Sequence, residues 1–91
     1  MNKQRRKRIW NVSMEIDESN LPKMKSELED ILFDEEYAFD NMPENLQYSM
    51  RGEESQEAMD ALNEAISMLE SMIDGEGDYD IEDVKNGLMM I

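Results

Sequence analysis

The sequence predicts an all-α protein: an antiparallel helical hairpin with an N-terminal helix and a short C-terminal helical turn, together a small three-helix bundle. Three observations carry this. Apolar residues recur every three or four positions in two long segments. The apolar supply is mostly Leu, Ile, Met and Ala, with six aromatics among 91 residues, a mixture that suits helices better than a β-sandwich. A chain of this length suffices for one core and one domain.

The first element is expected over residues 9–17, where Ile9, Val12 and Ile16 share a helical face. A strand remains open there, since Trp10, Val12, Met14 and Ile16 also alternate with polar residues. Helix is preferred because a lone strand finds no partner elsewhere in the chain. Residues 1–8 hold Lys3, Arg5, Arg6, Lys7 and Arg8 and are expected as a basic arm ahead of an acidic helical domain, 9–91.

The second helix is expected over 21–41. Leu21, Met24, Leu28, Ile31, Leu32, Ala38 and Met42 fall on one side, with Phe33 and Phe39 widening the stripe. Glu27, Asp30 and Asp34 point away, and Glu35 is the one polar break in the seam. Asn20 before Leu21 and Pro22 reads as a cap with proline in the first turn.

The third helix is expected over 53–74. Met59, Leu62, Ile66, Leu69 and Ile73 repeat at spacings of three and four, with Ala58, Ala61 and Ala65 beside them. Gly52, Glu53 and Glu54 mark its start, the acids favouring the positive end of the helix dipole. "DGEGD" at Asp74 to Asp78 supplies glycines for its end. The tail, 79–91, is expected to add one short turn around Ile81 to Lys85 that lays Ile81, Val84 and Leu88 on the core.

Between the long helices the apolar period stops, in "NMPENLQYSMRGE". Pro43 forces Met42 out of helix, Asn41 and Asn45 can close local turns, and Leu46, Tyr48 and Met50 can fold back over the hairpin's end. The stretch reads as a structured corner, with a recognition surface as the alternative.

Charge is unevenly divided. The net charge is −14, yet from Ile9 onward 23 acids face four bases. Such a body repels nucleic acid and anionic membrane and attracts basic surfaces, most strongly at low salt. With no Cys and no His, disulfides, thiolate chemistry, the usual zinc sites and the commonest general base are excluded. "DGEGDYDIEDVK" fails as a calcium loop, having Tyr79 in the glycine place and Lys85 in the place of the final Glu. No phosphate loop and no Ser with a base partner is present. No catalytic residue, metal or cofactor is therefore expected, and the ten Met residues are read as packing. No apolar run reaches the ~20 residues that span a bilayer, and no signal-peptide pattern follows the basic start. A cytoplasmic protein is expected.

"RRKRI", "LEDILFDEEYAFDNMPENLQ" and "RGEESQEAMDALNEAISMLESMI", and most specifically "DEEYAFDNMPENLQ", resemble a group of small acidic helical proteins encoded by bacteriophages and prophages. The similarity runs from Arg5 to Ile73. It implies a helical fold and a bacterial host cell, and it carries no catalytic residues.

Function is therefore expected in surfaces. The hairpin's acids give about one net charge per ~2.5 to 3 Å of length, against one per ~1.7 Å for duplex DNA. The expected partner-binding residues are Glu27, Asp30, Asp34, Glu53, Glu57, Asp60 and Glu64. The leading expectation is a non-enzymatic inhibitor that offers carboxylates in place of phosphates to a basic nucleic-acid-binding host protein, such as a CRISPR nuclease or restriction enzyme. The competing account is that the acids only solubilise the helices. A second expectation is a homo-oligomeric phage scaffold or regulator, a homodimer for instance, in which two hairpins complete each other's core along the Met59 to Ile73 seam. A third makes Arg5, Arg6, Lys7 and Arg8, next to Trp10, a nucleic-acid arm.

Overall fold

The computed structural model describes all residues 1–91 and contains five helices and no strand. They are α1 (Lys3–Glu15), α2 (Leu21–Asp40), α3 (Glu44–Gln47), α4 (Met50–Asp74) and α5 (Ile81–Met89). The long helices α2 and α4 form the expected hairpin. The corner holds the end of one against the start of the other, and Ser55 near the start of α4 meets Glu35 near the end of α2. One cluster of buried side chains draws on α1, α2, α4 and α5, centred on Leu28, Ile31, Leu62, Leu69 and Val84. Four helices line the core where three were expected, because the tail forms a nine-residue helix. Asp80 and Asp83 close a capping box at its start, each carboxylate accepting from the other's backbone N–H at 3.0 Å, which satisfies two otherwise unpaired donors. Gly75, at φ 72°, ends α4 in the left-handed conformation.

Two helix starts and one cap differ from the sequence reading. Helix α1 starts at Lys3, capped by Asn2, whose Oδ1 accepts from the Arg5 backbone N–H at 2.8 Å. Residues 1–8 are thus no arm, since its cations form the first turns of a packed helix. The strand alternative falls with the same observation. Helix α4 starts at Met50, so Gly52 lies inside it as a buried residue. Asn20 stands at the N-cap of α2 without capping it. Its Oδ1 accepts from the Asp17 N–H and its Nδ2 donates to the Glu15 carbonyl, both at 2.9 Å.

Two facing assignments also change. Phe33 does not widen the apolar stripe of α2 and is 68% exposed. Tyr48 and Met50 do not fold over the hairpin's end and are exposed, while Leu46 is half-buried. Of the seam from Met59 to Ile73, Met59, Leu62 and Leu69 are buried within one chain, Ile66 is half-buried and Ile73 is exposed.

Glu35, the polar break, is 2% exposed. The Arg5 Nε donates to its Oε1 at 2.7 Å, the Ser55 hydroxyl donates to its Oε2 at 2.5 Å, and the Met1 amino group lies 3.7 Å from Oε2. A carboxylate taken out of water costs several kcal/mol unless paired and hydrogen-bonded. Arg5 reaches it because α1 extends far enough toward the chain start.

The corner is held by close packing. The Gln47 Nε2 donates to the Phe39 carbonyl at 3.0 Å, and Ser49 Oγ donates to the Leu46 carbonyl. A Cβ at Gly52 would stand 1.9 Å from the Gln47 carbonyl oxygen, so only glycine lets α3 lie against α4 this closely.

Three expected outcomes follow from these contacts. Arg5→Ala, which strands a buried carboxylate, lowers unfolding free energy by about 3 kcal/mol in chemical denaturation, whereas Arg5→Met with Glu35→Leu is close to neutral. Gly52→Ala, despite the better helix propensity of alanine, destabilises by about 1 to 3 kcal/mol through overpacking. Gly87→Ala in α5, where a Cβ meets nothing within 4 Å, stabilises by about 0.5 to 1 kcal/mol; a gain at both glycines would refute the close approach. In the α1–α2 turn, the Asp17 carboxyl sits below its ordinary 3.8, chiefly through the Ser19 hydroxyl and also the Ser19 backbone N–H. Because the folded value is the depressed one, this contribution is present above about pH 4 and fades as pH falls through the folded value. Carboxyl NMR titration of Ser19→Ala should show the Asp17 value rising.

Candidate functional site

The buried face of α4 runs through Ser55, Met59, Leu62, Ala65 and Leu69. At about 100° per residue, Glu53, Glu57, Asp60 and Glu64 fall diametrically opposite that face. All four are exposed and none is in an ion pair. Their spacing of four, three and four residues puts neighbouring Cβ atoms about 5 to 6 Å apart. The helix thus holds four carboxylates in one straight line on its solvent side, and residues 53–74 contain no Lys or Arg.

The acids expected on α2 are arranged differently. Glu27 and Asp30 are exposed, but Asp34 accepts from the Arg8 guanidinium of α1 at 2.5 Å. Glu27 lines a shallow cleft between α1 and α2 together with Arg8, Lys23 and Glu15. Glu27 and Asp34 lie next to cations on the α1 side of α2, and neither they nor Asp30 belong to the line of four on α4. Of the fifteen acids between residues 21 and 74, Asp34 and Glu35 are neutralised by Arg8 and Arg5, leaving thirteen facing water.

The basic cluster is likewise divided. Arg5 and Arg8 turn inward to Glu35 and Asp34, whereas Arg6 and Lys7 stay exposed and unpaired. The four cations do not form one arm. Sequence periodicity does not reveal this division for a helix that begins at Ile9; placed on a helix from Lys3, Arg5 and Arg8 fall on the side of Val12 and Arg6 and Lys7 do not.

One end of the α4 stripe opens into a concavity missed by the sequence reading. Phe39, Gln47, Tyr48, Glu53, Gln56 and Glu57 line it, with a volume of ~730 Å³. The corner brings Tyr48, 82% exposed, beside two carboxylates of the stripe. A cation entering there meets an aromatic face and negative charge together, the arrangement that favours arginine or lysine. The clue in the sequence was Tyr48 itself, an aromatic in a polar turn where helix packing did not require one.

No group of three or more Asp and Glu residues converges in a way that could hold a metal ion. No helix is long and apolar enough to cross a membrane. Comparison with protein-family models, with curated proteins and with solved structures gives no match.

Proposed function

We propose that this chain is a non-enzymatic protein of the phage-encoded kind that binds a basic nucleic-acid-binding protein of a bacterial host, a CRISPR nuclease or a restriction enzyme, and blocks its nucleic-acid channel. The observation that carries this reading is the unbroken line of Glu53, Glu57, Asp60 and Glu64 on the solvent side of α4. A helix solubilised in the ordinary way mixes charges, because Glu and Lys three or four residues apart stabilise it. Here each adjacent like pair costs ~0.2 to 0.5 kcal/mol instead. Repulsion maintained over residues 53–64 of the solvent side is accounted for by a cationic partner that relieves it.

The stripe is sparser than a nucleic-acid strand, about one charge per 5.5 Å along the axis against about 3.4 Å for one DNA strand. It is suited to a row of Lys and Arg side chains, which reach several ångströms from their backbones, and the concavity at Tyr48 receives the cation at its end. The three acids of α2 contribute to the overall field and lie outside this contact. The chain acts in the host cytoplasm under this reading.

The test is capture of the tagged chain's partners at low and high salt, followed by competition against nucleic acid for each basic enzyme recovered. Glu57→Lys, Asp60→Lys and Glu64→Lys together should weaken the competition at least tenfold while leaving the melting temperature unlowered. Failure of every captured nuclease to release its nucleic acid, or an undiminished effect of the reversed chain, would remove this reading.

A further inference from the structure

Apart from the corner, Ile73, Tyr79 and the C-terminal Met89 and Met90, the exposed large apolar side chains lie on two helix faces, and Trp10 on one of them borders Leu88, Met89 and Ile91 along one edge. On α1, Lys3, Lys7, Trp10 and Met14 recur at i, i+4, i+7 and i+11, on the side opposite Val12. Trp10 is 60% exposed and Met14 64%. Both lysines are exposed and outside every ion pair. On α2, Phe33, Tyr37 and Asp40 recur at i, i+4 and i+7, on the side away from Leu28 and Glu35. Tyr37 is 67% exposed, much as Phe33 is, and Asp40 is exposed and unpaired.

These faces match each other when the helices run antiparallel. With Met14 opposite Phe33, the step of four that leads back to Trp10 leads forward to Tyr37. The next step of three brings Lys7 opposite Asp40. Lys3 then faces the C-terminal end of α2, where the helix dipole leaves partial negative charge that attracts cations. Both faces point away from the common core of one chain, so they can meet only between chains.

We propose that a second copy of this chain occupies the outer face of α1, setting its own α2 there with Trp10 and Met14 on Tyr37 and Phe33 and with Lys7 on Asp40. Because each copy contributes a different face, the contact is heterologous and repeats, closing into a ring or extending as a chain. The chemistry fits a second copy because the patch on α1 is apolar and cationic on a molecule of net charge −14, and the α2 patch is apolar and bordered by acids. Long-range repulsion between such copies is screened over about 8 Å at physiological salt, which leaves contacts within the interface to decide. The acidic stripe of α4 is not covered, so this proposal stands apart from the partner-binding reading.

The experiment is sedimentation equilibrium of the intact chain at physiological ionic strength, from micromolar to millimolar concentration. The expected result is a weight-average mass that rises above 10.7 kDa with concentration. Trp10→Ala and Lys7→Glu should each weaken association by roughly tenfold, with helicity by circular dichroism unchanged since both side chains are exposed. Lys7→Glu combined with Asp40→Lys should restore it. A mass fixed at the monomer value overturns the proposal. So does association that survives Trp10→Ala, or a charge-swapped double variant no better than Lys7→Glu alone.

Discussion

The fold turns on one carboxylate that cannot remain in the core unpaired. Glu35 occupies a position on α2 where periodicity demands an apolar residue, level with Ser55 of α4. Its charge is tolerable only because Arg5 arrives from a third helix, and that requirement shapes the N-terminus. A helix beginning at Ile9 would leave Arg5 without a fixed direction; a helix beginning at Lys3 aims it inward. The same register aims Arg8 at Asp34 and leaves Lys3, Arg6 and Lys7 outside. An apolar pair of similar volume could match the stability of such a buried ion pair. What the ion pair adds is selectivity, because only one placement of α1 along α2 brings the guanidinium to the carboxylate.

A second constraint, steric instead of electrostatic, positions the start of the acidic line. At Gly52 the backbone of α4 passes so close to the Gln47 carbonyl that no side chain fits. This contact draws α3 down onto the first turn of α4, and with it come Tyr48 and Gln47 to stand beside Glu53 and Glu57. The corner thus has two tasks in one geometry. It reverses the chain, and it shapes the end of the acidic stripe into a concavity.

Much of this was legible in the sequence. The spacings of Leu21, Met24, Leu28 and Ile31, and of Met59, Leu62 and Leu69, specify the buried faces of both long helices because a stripe of period 3.6 has only one way to face a core. The outward direction of Glu57, Asp60 and Glu64 follows from the same period. What was not legible depended on partners distant in sequence. Glu35 read as a defect until Arg5, thirty residues away, was placed beside it. Gly52 read as a helix start because its actual neighbour, the Gln47 carbonyl, is backbone and leaves no compositional trace. Phe33 read as core because hydrophobicity alone cannot separate an aromatic that widens a buried stripe from one displayed beyond its edge.

The distribution of charge across the finished surface bears on what a small protein of this kind gains from so many acids. If solubility were the only requirement, cations interspersed with the acids would keep the surface charged and would stabilise the helices as well. Instead five of the nine cations lie on α1, two of them neutralising acids of α2, while residues 53–74 of α4 have none. The result is a molecule with distinct faces: an acidic line on α4 and an apolar, basic line on the outer side of α1. Charge separated in this way forgoes the stabilising Glu–Lys pairs that interspersed charges would make within the helices of one chain. Because α1 and α4 pack into one core, the two faces are held in a fixed relation by a rigid body and not by a flexible arm.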